Sequence, residues 1–190
     1  LRLVGSEMCI RDSYLSEKND NLKVVHNVNV SPHALSILKS KGVSLYRCKV
    51  GHSNIKALMK ELKADFGGEH SAHFYYKDNY FADSAILTLL MLMSIVSERG
   101  EKVSSMIDKY NFPPSSGEIN FTVEDVNISL KKIKTVFSGN FDELDGLSYF
   151  DEKFWFNVRG SNTEPKLRLN IEADSQTILD EVLEKISTNI

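Results

Sequence analysis

The apolar positions in the first half of the chain switch between the spacing of a strand and that of a helix. Residues 22–29 and 43–50 are rich in β-branched and other apolar residues, which predicts two strands. Residues 53–62 carry apolar side chains at helical spacing, and residues 64–78 read as strand, loop and strand. This alternation indicates an α/β domain with a mixed, largely parallel sheet and helices packed on it.

Residues that cap helices mark the predicted boundaries. Ser31 before Pro32 suits the start of a helix that ends at Gly42. Ser53 is predicted to cap the next helix. Residues 83–98 form a long apolar segment, which predicts a buried helix.

The segment 111–117, NFPPSSG, separates two halves of different character. Its prolines interrupt regular structure, and its small polar residues are typical of a linker. After it, residues 118–190 predict a small α+β domain, an antiparallel sheet with two helices. In the last predicted strand, Leu167, Leu169 and Ile171 alternate with polar residues, which predicts a sheet with one solvated face.

The first residues do not fit this organisation. Residues 1–13, LRLVGSEMCIRDS, show no periodicity and resemble the translation of a transposase-type sequencing adapter. We therefore expect residues 1–13 to be non-native, with natural sequence starting near Tyr14. The predicted domains are then residues 14–110 and 118–190, and the natural protein is expected to be longer at its N-terminus.

The composition is that of an ordinary globular protein and argues against several classes. A net charge of −3 gives no reason to expect a nucleic-acid partner. The two cysteines, Cys9 and Cys48, form no CxxC or Cys/His motif, which argues against a disulfide framework or a structural zinc. The longest apolar run, residues 85–96, is too short to span a bilayer. We expect a cytoplasmic protein with no membrane partner.

A polar loop near the C-terminus is the first candidate site. Residues 159–165, RGSNTEP, lie between two predicted strands and combine a guanidinium, hydroxyls and an amide. Such donors suit a phosphate monoester, and they are supplied by Arg159, Ser161, Asn162 and Thr163. The alternative is a solvated connection rich in ordinary turn-forming residues.

Two histidine-containing stretches are further candidates. In GGEHSAH, Glu69 can accept hydrogen bonds from sugar hydroxyls, Ser71 can donate or accept, and the imidazole of His73 can take up or release a proton. His52 stands at a strand-to-helix turn, where a helix N-terminus favours an anion. The alternatives are a glycine turn flanked by histidines and an ordinary capped helix start.

The three motifs occur together, in this order, in the α-D-phosphohexomutases. From Tyr14 to its end the chain resembles domains three and four, the C-terminal half, of the phosphomannomutase/phosphoglucomutase branch. GEHSAH is similar to the family's sugar-binding loop, GE-x-S-x-H, and RGSNTEP to its phosphate-binding loop, R-x-S-N-T-E-P. VGHSNIK resembles the T-G-H-x-x-I-K turn of the third domain.

The resemblance implies a role for each matching residue. Glu69 and Ser71 would bind sugar hydroxyls. His73 would be a catalytic proton shuttle, and His52 would contact the substrate. The phosphate that does not react would be bound by four loop residues: Arg159, Ser161, Asn162 and Thr163.

Departures from the family pattern leave the choice between mannose and glucose open. The family often has Thr where Val50 stands and Gly where Ala72 stands. A basic residue that is frequent after the first strand is absent near Asn29.

The resemblance also implies an activity for the intact protein. It would interconvert hexose 1-phosphate and hexose 6-phosphate by intramolecular phosphotransfer, with hexose 1,6-bisphosphate as intermediate. The family carries a phosphoserine in domain one and binds Mg²⁺ on a D-x-D-x-D-R loop in domain two, and neither motif occurs here. The chain is then an inactive fragment that binds mannose or glucose phosphate and lacks the N-terminal domains that would be its partners. The alternatives are a stand-alone, non-catalytic phosphosugar-binding protein and a folded interaction domain without a ligand.

Overall fold

The computed structural model describes residues 6–19, 21–161 and 164–190. The chain divides into two units, Leu1–Phe112 and Pro113–Ile190, each with its own hydrophobic core. Within the described residues, no helix is both long enough and apolar enough to cross a membrane.

The described part of the first unit is built on a five-stranded sheet. Its strands are β1 (Lys23–Asn27), β2 (Ser44–Cys48), β3 (Phe66–Gly68), β4 (Phe74–Tyr76) and β5 (Ala82–Asp83). Its helices are α1 (Ser6–Ser16), α2 (Pro32–Ser40), α3 (His52–Leu62), α4 (Ala85–Arg99) and α5 (Val103–Asp108). The sheet order is β2-β1-β3-β4-β5, with β1 parallel to β2 and β3 and the remaining pairs antiparallel. The predicted mixed α/β sheet is confirmed.

The centre of this sheet is buried on both faces. Successive side chains of a strand point to opposite faces, and accordingly Val24 and Val25 of β1 belong to two different apolar clusters. A Cβ atom on Gly67 of β3 would lie only 2.7 Å from Met59 Sδ and 2.8 Å from Ile55 Cγ2. Only glycine therefore allows α3 to pack this closely on β3, just before the polar loop that begins at Glu69.

The predicted N-cap residue is confirmed for one helix and wrong for another. Ser31 caps α2 by accepting a hydrogen bond from the backbone N–H of Ala34 (3.2 Å), as predicted. The prediction that Ser53 caps α3 is wrong, because the helix already begins at His52. Gly51 adopts a φ of 122°, which turns the chain into the helix directly after β2.

Helix α4 is less buried than predicted. Ile86, Leu89 and Met93 are 72%, 58% and 59% exposed, whereas Thr88 and Ile95 are buried. The prediction of a buried helix is wrong for this face. Only a narrow stripe of α4 packs against the rest of the first unit. Apolar residues also lie outside that stripe, and they are therefore exposed.

The described part of the second unit is a five-stranded antiparallel sheet with two helices, as predicted. Its strands are β6 (Ser115–Thr122), β7 (Phe141–Asp142), β8 (Leu147–Phe150), β9 (Phe154–Gly160) and β10 (Lys166–Ala173). Its helices are α6 (Val126–Val136) and α7 (Gln176–Ser187). The sheet order is β6-β10-β9-β8-β7, and apolar residues of both helices pack on one face of it. β6 begins inside the segment predicted as a linker.

The polar face of this second sheet is not solvated throughout. Asn170 and Glu172 of β10 are only 3% and 8% exposed, and Asn157 of β9 is fully buried. The prediction of one solvated face is therefore wrong at these positions. β10 lies between β6 and β9, so that side chains of neighbouring strands cover its polar residues on both sides.

Helix α1 covers most of the segment predicted to be non-native. Met8, Cys9 and Ile10 are buried, together with an ion pair between Arg11 Nε and Asp12 Oδ1 (2.6 Å). In the described part of the chain, both Arg11 Nη atoms and Asp12 Oδ2 are buried without a hydrogen-bond partner, although the guanidinium lies over aromatic rings of β3 and β4. Buried charged atoms of this kind are unfavourable. Burial of Asp12 raises the pKa of its carboxyl group.

Candidate functional site

The loop between β3 and β4 holds Glu69 in a defined position. Glu69 is 7% exposed, and its Oε1 accepts a hydrogen bond from the Tyr75 hydroxyl (3.0 Å). Its Oε2 accepts one from Ser71 Oγ (3.1 Å). Burial, reinforced by the Glu69 carboxylate, raises the pKa of Tyr75 far above its ordinary value, so Tyr75 remains a donor. The structure thus brings the predicted residues Glu69 and Ser71 together and adds Tyr75.

The backbone of this loop is closed by its own hydrogen bonds. The N–H of Glu69 donates to the carbonyl of His73 (3.0 Å), and that of Ala72 donates to the carbonyl of Glu69 (3.1 Å). Ala72 adopts a φ of 63°, the left-handed region that favours glycine. Glycine adopts this conformation without strain, whereas Ala72 adopts it at a cost.

His73 is oriented by a carboxylate that the sequence motif does not contain. Its Nδ1 lies 3.1 Å from Asp83 Oδ2, at the end of the short antiparallel pairing of β4 with β5. Partial burial is the largest single influence on the pKa of Asp83 and acts to raise it. The hydrogen bond and charge of His73, a backbone hydrogen bond and the charge of Lys56 together outweigh burial and hold that pKa below its ordinary value. The pair is partly exposed, with 55% of the His73 side chain accessible.

His52 is the first residue of α3 and is exposed. In the described part of the chain, it takes part in neither of the two hydrogen-bonded groups around Glu69 and His73. It follows the carboxyl end of β2, which is parallel to β1. In parallel sheets, binding residues commonly lie at this end of the strands.

The second unit places two arginines side by side. Arg159 near the end of β9 lies directly opposite Arg168 of β10 in the antiparallel register. Directly opposite residues share one face of a sheet. Arg168 Nη2 donates to Ser161 Oγ at 3.5 Å, so this hydroxyl lies beside the Arg168 guanidinium group. Asn162 and Thr163, the other two predicted residues of this loop, lie outside the described residues.

Arg168 is a neighbour of the predicted phosphate loop that the motifs do not indicate. Its alternation with Leu167 and Leu169 predicts only a position on a solvated face. The available signal was its position in β10: in a tight antiparallel connection, a residue shortly after the loop pairs with one shortly before it. Arg159 and Arg168 are related in this way by the pairing of β9 with β10.

A separate cavity of about 430 Å³ lies elsewhere in the second unit. It is lined by aromatic residues, among them Phe137, Tyr149 and Phe154, and by Lys153 and Lys185. None of the predicted site residues that the structure describes lines this cavity. The loop residues described above are therefore not part of it.

Fold and site together define a two-domain protein with an α/β unit and an α+β unit, each with its own polar site. The family model for the phosphoglucomutase/phosphomannomutase alpha/beta/alpha domain III matches residues 6–111. That for the phosphoglucomutase/phosphomannomutase C-terminal domain matches residues 118–188. The chain belongs to this family, as its motifs indicated. The first match starts within the segment expected to be non-native, and that expectation stays a prediction.

Curated relatives are longer than this chain. A phosphomannomutase from Methanocaldococcus jannaschii is 39% identical over 182 residues, which is 95% of this chain and 40% of the relative. A phosphomannomutase from Vibrio cholerae is 33% identical over 168 residues, which is 86% of this chain and 36% of the relative. The chain thus spans about 40% of the length of the relatives that it matches.

Solved structures share the fold. A phosphoglucomutase/phosphomannomutase family protein from Burkholderia thailandensis aligns with a TM-score of 0.84 at 23% identity, over 97% of this chain and 40% of its own. An N-acetylphosphoglucosamine mutase from Aspergillus fumigatus, solved with GlcNAc-6P and magnesium, aligns with a TM-score of 0.74 at 14% identity. That alignment covers 98% of this chain and 43% of the mutase.

Proposed function

We propose that this chain is the sugar- and phosphate-binding part of a phosphomannomutase/phosphoglucomutase. The intact protein would interconvert hexose 1-phosphate and hexose 6-phosphate by intramolecular phosphotransfer, with hexose 1,6-bisphosphate as intermediate. Mannose and glucose are the proposed sugars. The names of the Methanocaldococcus and Vibrio relatives, both phosphomannomutases, support mannose.

The observation that carries this proposal is the pair of guanidinium groups beside Ser161. A phosphate monoester is a compact dianion, and Arg159 and Arg168 offer it two cationic forks on the same face of one sheet. Ser161 adds a hydroxyl within hydrogen-bond distance of Arg168. We name these three residues the phosphate clamp, and we propose that Asn162 and Thr163 complete it.

The loop of the first unit would recognise the sugar. Glu69 is held by two hydroxyl donors, which leaves the remaining lone pairs of its carboxylate oriented to accept from sugar hydroxyls. His52, exposed at the start of α3, would contact the same substrate. Glu69 and His52 both belong to the first unit.

His73 would move a proton at the reacting oxygen. Its Nδ1 is engaged by Asp83, so proton exchange with a substrate hydroxyl would take place at Nε2. A carboxylate partner fixes the tautomer and stabilises the imidazolium that forms on protonation.

Mg²⁺ is proposed as a cofactor of the intact protein. Among the described residues, no three His, Cys, Asp or Glu side chains are grouped as metal ligands. These residues therefore do not fit a metal site, and no step of the proposed reaction is assigned to a metal bound by them.

The phosphate clamp is tested by titrating the full chain with glucose 6-phosphate and mannose 6-phosphate in a calorimeter. Arg159→Ala and Arg168→Ala are each expected to weaken binding by ~2–4 kcal/mol, because each removes a charge-assisted contact with the phosphate. Arg99→Ala, which removes an arginine paired with Glu17 in the first unit, is the control and should bind like the wild type. Unchanged affinity in both clamp variants would disprove the clamp.

A further inference from the structure

Glu118 of β6 contacts both arginines of the phosphate clamp. Its Oε2 lies 3.8 Å from Arg159 Nη2, and its Oε1 lies 3.5 Å from Arg168 Nη1. The Arg159 side chain is only 7% exposed and stands directly opposite Arg168, an arrangement in which like charges repel. Without a ligand, the carboxylate of Glu118 therefore offsets the repulsion between the two guanidinium groups.

The same carboxylate opposes a ligand. A phosphate dianion bound to Arg159 and Arg168 would lie close to the Glu118 oxygens, which already interact with both guanidinium groups. Two anions at such short range repel strongly when they are partly removed from water. Glu118 and the phosphate therefore compete for the same two cations.

Asn170 offers Glu118 a second position. It lies directly opposite Glu118 in the pairing of β10 with β6, so the two side chains share a face with Cβ atoms roughly 5 Å apart. Asn170 is 3% exposed, and its side-chain Oδ1 and Nδ2 both have no hydrogen-bond partner among the residues that the structure describes. A buried amide donor without a partner is unfavourable, and a carboxylate that approached it would remove that cost.

We propose that Glu118 is a positioning residue that exchanges between the arginine pair and the Asn170 amide. Without phosphate, Glu118 holds Arg159 and Arg168 side by side in the geometry that binds the ligand. With phosphate, the ligand replaces the carboxylate at the arginines, and Glu118 accepts a hydrogen bond from Asn170 Nδ2. The inference rests on the proposed phosphate clamp and adds that Glu118 lowers the affinity of the clamp while stabilising it.

The test is Glu118→Gln in the full chain, which keeps the size of the side chain and removes its charge. Calorimetry with glucose 6-phosphate, mannose 6-phosphate and inorganic sulfate is expected to show about tenfold tighter binding. The melting temperature without ligand should fall, because the arginine pair loses its counter-ion. Opposite changes of affinity and stability separate this role from a merely structural one, in which both would fall. Glu124→Gln, at an exposed position of the same unit, should change neither quantity.

The role of Asn170 is tested by a double-mutant cycle. Asn170→Leu keeps a similar volume and removes the amide, so it should weaken phosphate binding when Glu118 is present. In the Glu118→Gln background the same substitution should leave the affinity unchanged, because no displaced carboxylate needs a partner. An equal effect of Asn170→Leu in both backgrounds would overturn the exchange.

The possible failures are distinguishable. If wild type binds and Arg168→Ala removes that binding, but Glu118→Gln binds no more tightly, the inference is wrong and the clamp stands. If neither wild type nor Glu118→Gln binds any of the three ligands, the clamp and the inference are both wrong. If Glu118→Gln does not fold, Glu118→Asp is the alternative variant, because its shorter side chain draws the carboxylate back from both arginines. It is expected to bind phosphate more tightly than the wild type, by a smaller factor than Glu118→Gln would. Binding equal to or weaker than that of the wild type would overturn the inference.

Discussion

At the scale of single residues, the polar groups of this protein act with partners that the motifs do not contain. Glu69 is held by Tyr75, His73 by Asp83, and Arg159 lies beside Arg168. The motif residues could be predicted because three short motifs in order resemble those of a known family. Their partners could not, because strand register and the course of the chain decide which side chains meet.

His26 of β1 gives the stability of the protein a pH dependence of known sign. Burial is the main cause that lowers its pKa from 6.5 to about 4, and the positive charge of Arg47, its register partner, acts in the same direction. The backbone hydrogen bond with Asn27 opposes this shift only in part. Above pH 6.5 the imidazole is neutral in both the folded and the unfolded chain, and His26 has no effect on stability.

Below that pH the unfolded chain takes up a proton that the folded chain does not take up until about pH 4. The free energy of unfolding is therefore expected to fall by about 2 kcal/mol between pH 7 and pH 5 through His26 alone. Urea denaturation at the two pH values measures this difference. His26→Gln should remove it, whereas His52→Gln, at an exposed position, should keep it. The same pH dependence in wild type and His26→Gln would contradict the prediction.

At the scale of elements, apolar spacing located most helices and strands but not the degree of their burial. Helix α4 shows the difference, because its residues are apolar on nearly all sides while only a stripe that includes Thr88 and Ile95 is buried. Helical propensity and apolar character are local properties. The buried fraction of a helix depends on which elements pack against it. Apolar spacing within the helix does not predict those elements.

Because one face of α4 is exposed and another is buried, substitutions on the two faces should change the free energy of unfolding by different amounts. Leu89→Lys with Met93→Lys should change the free energy of unfolding by less than about 0.5 kcal/mol, because both side chains are more than half exposed. Binding of a hydrophobic fluorescent dye should decrease in the same variant, since an apolar patch is removed. Ile95→Ala, at a fully buried position, should cost about 2–5 kcal/mol. Equal destabilisation by both changes would show that the face is covered in solution.

At the scale of the whole molecule, the two units have separate apolar cores. The core of the second unit is formed entirely by residues between Ile119 and Ile190, around Phe156, Val158 and Leu169. Its sheet pairs only strands of the same unit. An apolar core and a complete set of strand pairings are what a small domain needs to fold alone.

Residues 113–190 are therefore expected to fold when they are produced without the first unit. The fragment should unfold cooperatively in urea, and its backbone amide NMR signals should be well dispersed. It should also retain binding of inorganic sulfate, because Arg159, Ser161 and Arg168 all belong to it. Poorly dispersed amide signals would show that the core of the second unit does not fold by itself.

The sequence by itself determined most of the helices and strands, the two fold classes and the motif residues of both candidate sites. The elements and fold classes follow from local spacing, and the motif residues follow from the resemblance of short motifs to a known family, neither of which depends on distant parts of the chain. Only the tertiary structure decided that Arg168 and Glu118 join Arg159, that Asp83 orients His73, and that Asn170 is buried opposite Glu118. These contacts are set by the register between paired strands, where a shift of one residue would place every side chain on the other face of the sheet.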